Sequence, residues 1–156
     1  MTPEDITTFV TALPGTVVVV ADEAGGAPEV AWGDSFFFYD PDGDEPADRR
    51  MPFATIVTKD YDGFDTASNL DRPGVFRLNI AVGRSAFGQL VGQAGDVDHA
   101  AVDTLIPHPV YAPQAWVAVL NPGPATAELA RTLLTDAHAR AARRHRRRRV
   151  GGGGGG

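Results

Sequence analysis

Phe53-Ala54-Thr55-Ile56-Val57-Thr58-Lys59 and Gly74-Val75-Phe76-Arg77-Leu78-Asn79-Ile80 are the two runs on which the reading of the fold turns. In the second, Phe76, Leu78 and Ile80 alternate with Val75, Arg77 and Asn79, the period-two pattern of a strand with one face on a core. Arg77 and Asn79 then share the other face, open to water or to a ligand. In the first run Ala54, Ile56 and Thr58 alternate with Phe53, Thr55, Val57 and Lys59, so both faces carry apolar residues and the strand is expected to be central. An acidic connection punctuated by glycine and proline joins the two, and together they form the expected spine of a sheet.

Upstream, Thr2-Pro3-Glu4-Asp5 reads as a cap, a proline at the first helical position and acids in the first turn. Ile6, Phe9, Val10 and Leu13 follow at amphipathic spacing, so a helix is predicted there, ended by Pro14-Gly15. Thr16 to Ala21 is a β-branched run expected to be a strand buried on both faces. Glu29 to Trp32 and Ser35 to Tyr39 read as one bent strand or two short ones around Gly33-Asp34. Asp40-Pro41-Asp42-Gly43 is turn chemistry, and the charged run through Arg50 reads as a surface loop.

Downstream, Ser85 is expected to cap a short helix carrying Phe87, Leu90 and Val91, with Gly92 to His99 as loop. Asp103 to Ile106 begins an extended segment, and Pro107-His108-Pro109-Val110-Tyr111 must be largely non-helical because each proline restricts the residue before it. Trp116 to Leu120 reads as the last strand, and Thr126 is expected to cap a final helix with Leu129, Leu133, Leu134, Ala137 and Ala141 on one stripe. The fold class is therefore α+β: an antiparallel sheet of about five strands, packed on one side by the N- and C-terminal helices, with a short extra helix.

At 156 residues and 43% hydrophobic content the chain fits a single domain, expected over residues 1–142. It has no cysteine, which removes disulfides, thiol nucleophiles and thiolate metal ligands. No apolar run approaches the roughly 20 residues that span a bilayer, and Met1 to Glu4 lacks the basic start of a signal peptide, so a soluble, cytoplasmic protein is expected. The net charge of −6 hides an asymmetry: all 20 acidic residues but only 7 of the 14 basic ones lie in residues 1–139. The body is near −13 and the stretch from Arg140 carries +7. Such a body repels phosphate backbones, which disfavours nucleic-acid binding through the folded part.

Trp32-Gly33-Asp34, Pro52 to Tyr61, Leu70 to Ile80, His108-Pro109-Val110-Tyr111 and Trp116 to Pro122 together resemble an uncharacterised, mainly actinobacterial family known as a domain of unknown function, number 6194. The resemblance covers residues 1 to about 142 and implies no activity. The element order and the final strand-turn-helix are also similar, at the level of fold, to the small MmcQ/YjbR-like proteins with a double-wing α+β architecture; that analogy concerns architecture alone.

Chemical motifs are sparse. No two of His99, His108, His138 and His145 pair with each other at ligand spacing; His99 has Asp98 and Asp96 near it in sequence, as scattered acids in an acidic chain would produce, and no metal is assigned. There is no nucleophile elbow, phosphate-binding loop or dinucleotide fingerprint, so no cofactor is assigned. The candidate ligand-binding residues lie on the open sheet face and the loops that reach over it: Arg77, Asn79, Lys59, Asp34, Trp32 and Tyr111. An arginine, an amide and an aromatic wall suit a small carboxylate or planar ligand, with Arg77 as a bidentate clamp. The plainer alternative has Arg77 paired with an acid such as Asp60 or Asp71 on a solvated face.

His108, held between two prolines, is the weak candidate for an acid/base residue. The tail, with Arg143, Arg144, Arg146, Arg147, Arg148 and Arg149, is expected to be frayed or disordered over residues 143–156 because its like charges repel. It could touch nucleic acid or lipid, or fold back on the acidic body. The leading functional expectation is a small-molecule or protein-binding module using the open face. The alternatives are an enzyme acting on a small anionic substrate and weak nucleic-acid binding through the tail.

Overall fold

The computed structural model describes residues 1–46, 50–92 and 95–153. The expected loop positions 47–49 and 93–94, and residues 154–156 of the expected glycine end, lie outside the described residues. In chain order the elements are α1 (Pro3–Thr11), β1 (Thr16–Val20), a 3-10 turn (Glu29–Ala31), β2 (Ser35–Tyr39), β3 (Ala54–Val57), β4 (Arg77–Ala81), α2 (Arg84–Leu90), β5 (Leu105–Pro107), a second 3-10 turn (Ala112–Gln114), β6 (Trp116–Leu120) and α3 (Ala127–Gly153). The strands form one antiparallel open sheet in the order β1-β2-β3-β4-β6-β5. This is an α+β fold, with one strand more than expected because the short β5 pairs along the outer side of β6.

The two decisive runs lie side by side at the centre, pairing Ile56 with Leu78 and Thr55 with Asn79. Leu78 and Ile80 face the helices together with Phe37, Ala54, Ile56 and Val117, and meet Ile6 and Val10 of α1 and Leu133, Leu134 and Ala137 of α3. The N-terminal helix is set by a capping box: the Thr2 hydroxyl accepts from the Asp5 N–H at 3.0 Å, and the Asp5 carboxylate accepts from the Thr2 N–H at 2.9 Å. Gly15 then turns the chain into β1 with φ at +75°, and a Cβ there would come within 2.8 Å of the Tyr39 ring.

Four local expectations are corrected. β1 is an edge strand rather than one buried on both faces, and Val20 is 53% exposed; a β-branched run reports strand propensity, not how many neighbours the strand has. Glu29–Ala31 is a 3-10 turn and not part of a bent strand. Gly83 occupies the cap position of α2, so Ser85 lies inside the helix and caps nothing. At α3 the cap is supplied from a distance: Asp103 accepts from the N–H groups of Gly123, Ala125 and Thr126, and the Thr126 hydroxyl is spent on Asp103 at 2.6 Å. Those bonds, the one from the Thr126 hydroxyl foremost, hold the Asp103 carboxyl below its ordinary pKa.

The basic tail also departs from the expected disorder, because α3 runs without a break from Ala127 to Gly153. Ala141, Ala142 and His145 continue its buried stripe, with the His145 ring edge-on to Tyr39 at 5.3 Å. Arg148 pairs with Glu45 at 3.4 Å. The buried stripe and this ion pair lay the segment against the acidic body, and the fold-back alternative describes it better than fraying.

Truncating the wholly buried Leu78 to alanine should destabilise the protein by about 3 kcal/mol, read as a lower urea midpoint followed by circular dichroism. A loss under about 1 kcal/mol would mean that the helix-facing side of β4 is not the main core.

Candidate ligand-binding site

On the other side of the sheet, Arg77 and Asn79 of β4 share a face with Thr55 and Val57 of β3, Phe36 of β2 and Ala118 of β6. This face is covered, not open. The connections on either side of β5, residues 95–104 and 108–115, and the one over residues 58–76 lie on this side, and Leu70 is buried there with Val57, Ile106, Ala118 and Leu120. Arg72 ties the last of these to the first, donating to the carbonyls of Ser68 at 3.1 Å and Ala100 at 2.9 Å.

Arg77 is therefore 0% exposed, and its partner is neither Asp60 nor Asp71. Its fork is filled by Asp65: Nη1 donates to Oδ1 at 3.0 Å and Nη2 to Oδ2 at 2.6 Å. Nη1 also donates to the Ser68 hydroxyl at 3.0 Å, and Nε to the Asn79 amide oxygen at 2.8 Å. Asn79 in turn donates to Thr55 at 2.9 Å. Burial would raise the Asp65 pKa, but the hydrogen bonds and charge of Arg77, with His108 and His99 nearby, hold it below the ordinary carboxyl value. The clamp is occupied from within the chain.

His108 stands next to this pair, with Nε2 3.3 Å from Arg77 Nη2. Its Nδ1 accepts the backbone N–H groups of Val110 at 3.0 Å and Tyr111 at 2.9 Å. Nδ1 must then carry a lone pair, so in the neutral ring the proton sits on Nε2. Burial, and after it the neighbouring Arg77 charge, push the His108 pKa down to about 3, which keeps the ring neutral. Four of the five guanidinium N–H groups have acceptors in Asp65, Ser68 and Asn79; the fifth, on Nη2, faces an imidazole nitrogen that is itself a donor.

The remaining expected residues divide. Tyr111 is at the site, its ring 4.9 Å from that of His108. Asp34 is buried one step behind, accepting from the backbone N–H and hydroxyl of Thr58 and from the Tyr61 hydroxyl. Burial raises the Asp34 pKa; burial and the bond to Asp34 raise that of Tyr61. Lys59 is half-buried and its Nζ donates to the Glu29 carbonyl at 3.2 Å, and Trp32 donates its indole N–H to the Ala27 carbonyl at 2.9 Å. Neither of these two lines the cavity.

That cavity measures about 540 Å³. Its floor is Arg77, Asn79, Asp65, Thr55 and His108, and its walls are Phe36, Met51, Pro52, Val57, Tyr61, Phe64, Tyr111 and Trp116. Phe64 and Tyr111 stand at the rim, 57% and 42% exposed, with ring centroids 6.1 Å apart. Sequence reasoning missed Asp65, Ser68 and Phe64, which sit in an irregular connection where no periodicity marks direction. It read Trp116 and Phe36 as strand residues only, though Trp116 falls at a two-residue offset from Ala118 and so on the same face.

An antiparallel sheet covered by helices on one face and bearing an ion-paired, aromatic-walled cavity on the other defines an α+β domain built around a ligand-sized pocket. Over residues 1–150 the chain matches the family of unknown function DUF6194, and it belongs to that family. No curated protein and no solved structure matches it. Among the described residues, no group of three or more histidines and carboxylates is placed to hold a metal ion, and no helix is long and apolar enough to cross a membrane.

The buried neutral histidine predicts a pH dependence. An unfolded histidine takes its proton near 6.5, whereas folded His108 resists down to about 3, so between those values the unfolded chain binds more protons. Stability should then fall as pH drops from about 7 towards 4, with His108 contributing at most ~1.4 kcal/mol per unit. Asp65, lowered instead, keeps its contribution across that window and loses it only as pH falls through its folded pKa. In urea unfolding at several pH values, His108→Gln should show a shallower slope than the native protein; equal slopes would show that His108 titrates normally.

Proposed function

We propose that this protein binds a small, uncharged, largely apolar molecule, aromatic or otherwise planar, that presents one hydrogen-bond acceptor to the cavity floor. The observation that carries the reading is the pair of adjacent donors, Arg77 Nη2 and His108 Nε2, 3.3 Å apart beneath apolar walls with no acceptor shared by the two among the described residues. A carbonyl-type oxygen in that position would accept from both. The volume, about 540 Å³, falls in the range of small-molecule sites, and the walls follow their usual pattern of aromatic lining with a few convergent polar groups.

Charge selects against an anion. The Arg77 charge is already matched by Asp65 at 2.6 Å, so the floor is close to neutral, and Asp34 adds negative potential behind Tyr61. A carboxylate ligand would give up its hydration without meeting a free positive charge. The enzyme alternative, with Arg77 as clamp for an anionic substrate and His108 as acid/base, is weakened by the same geometry. The fork is filled, and His108 has Nδ1 engaged by backbone and Nε2 already protonated, which suits a fixed donor better than a proton shuttle. A protein ligand fits less well, because the feature is concave rather than flat.

A thermal-shift and calorimetric comparison of neutral aromatic amides, ketones and lactones with carboxylates of the same skeletons tests this. Neutral members should raise the unfolding midpoint, and Tyr111→Ala with Phe64→Ala should weaken their binding about tenfold, since both rings stand at the rim and neither supports the ion pair. Tighter binding of the carboxylates, or binding indifferent to both rim substitutions, would sink the reading.

A further inference from the structure

A second concavity, of about 240 Å³, lies between the end of β2, the start of the segment leading into β3, and the last turns of α3. Its polar lining is Arg50, Arg144, Arg147 and Arg148 with Glu45, and Phe38 and Tyr39 supply its apolar wall. We propose that this cleft is a binding site for a compact, multiply charged phosphate anion, a diphosphate group in size and charge, gripped by Arg50, Arg144 and Arg147.

Three observations support the assignment. First, among the described residues the guanidinium charge of the lining is only partly matched. Glu45 answers Arg148 at 3.4 Å and Asp40 stands 3.9 Å from Arg50, but Arg144 and Arg147 have no ion-pair partner among the described residues. A lining that keeps about two positive charges suits a doubly charged anion better than a single carboxylate, and guanidinium forks match phosphoryl oxygens in geometry. Second, Arg50 is held with donors to spare. Its guanidinium lies 4.7 Å over the Phe38 ring, and its buried Nε has no hydrogen-bond partner among the described residues. Third, Arg144, Arg147 and Arg148 recur at i, i+3 and i+4, which turns like charges onto one stripe. Partial desolvation in the cleft, and then Arg140, Arg148 and Arg147, lower the Arg144 pKa, the signature of positive charge crowded without an anion.

Stabilising the end of a helix requires no such crowding. Lysines or arginines in the last turns favour the helix dipole wherever on the circumference they stand, and spreading them would avoid the repulsion. Nucleic acid offers the same phosphate chemistry, but a long polyanion would also have to pass a body near −13, whereas a diphosphate meets only the cleft.

The test is calorimetric titration of the full chain with inorganic pyrophosphate at fixed ionic strength. Binding should be saturable with one site per chain, and Arg144→Gln with Arg147→Gln should weaken it about tenfold or more. The same loss of charge placed elsewhere on the helix, Arg143→Gln with Arg146→Gln, should change it by no more than about twofold. Circular dichroism of both variants shows whether α3 is intact; if the first pair unfolds it, Arg50→Gln alone should give the weakening. No saturable binding, equal weakening by the two pairs, or tighter binding of a short single-stranded oligonucleotide than of pyrophosphate would each overturn the assignment.

Discussion

The ion pair between Arg77 and Asp65 is the constraint on which the cavity-bearing half of the structure rests. A guanidinium with no exposure is tolerable only when its charge is matched and most of its donors are used, and Asp65, Ser68 and Asn79 match the charge and take four of the five N–H groups. Asp65 and Ser68 belong to the long irregular connection between β3 and β4, so the same bonds that neutralise the arginine hold that connection down on the sheet. Losing either charged partner would strand the other in a poorly solvated place, a cost on the order of 3–5 kcal/mol. The cavity exists because this connection is pinned near its middle, at Asp65 by charge and at Leu70 by apolar burial.

His108 shows how a short sequence pattern becomes a chemical property. Pro109 has no N–H, so the first donors after the ring are those of Val110 and Tyr111, and the turn brings both back to Nδ1. The tautomer follows from backbone geometry rather than from any side-chain partner. The ring is thereby committed to donating from Nε2, beside an arginine whose own spare N–H faces that nitrogen. Two donors placed together in an apolar surround are unfavourable unless something accepts from them.

The parts of this fold that could be read from sequence are those set by periodicity. The alternation of Phe76, Leu78 and Ile80 against Arg77 and Asn79 placed the core correctly and put the two polar residues on one face, as the pairing of β3 with β4 shows. Thr2, Asp5, Ile6 and Val10 marked α1 for the same reason: the signals lie within one or two turns of each other. What escaped depends on contacts between distant residues. Asp103 caps a helix that begins 24 positions later, at Ala127, and no local motif announces it. Asp65 finds Arg77 across an irregular connection. The tail reading failed in an instructive way, since Ala137, Ala141 and His145 continue the apolar stripe at intervals of four beneath the run of arginines. Counting charges hid a periodicity that was present.

The strand order carries a consequence for how the chain assembles. β1 to β4 follow one another across the sheet, so each can pair with its predecessor as soon as it emerges during synthesis. β5 cannot, because its neighbour is β6, the later strand, which must slot between β4 and β5. Until residues 116–120 are available, β4 has an unpaired edge and β5 has no place to dock. Arg77 lies on that edge, opposite Leu120, and His108 follows directly after β5. The pocket is consequently among the last features to form on a nascent chain, and an arrested or C-terminally shortened product would expose a bare central strand rather than a smaller working domain.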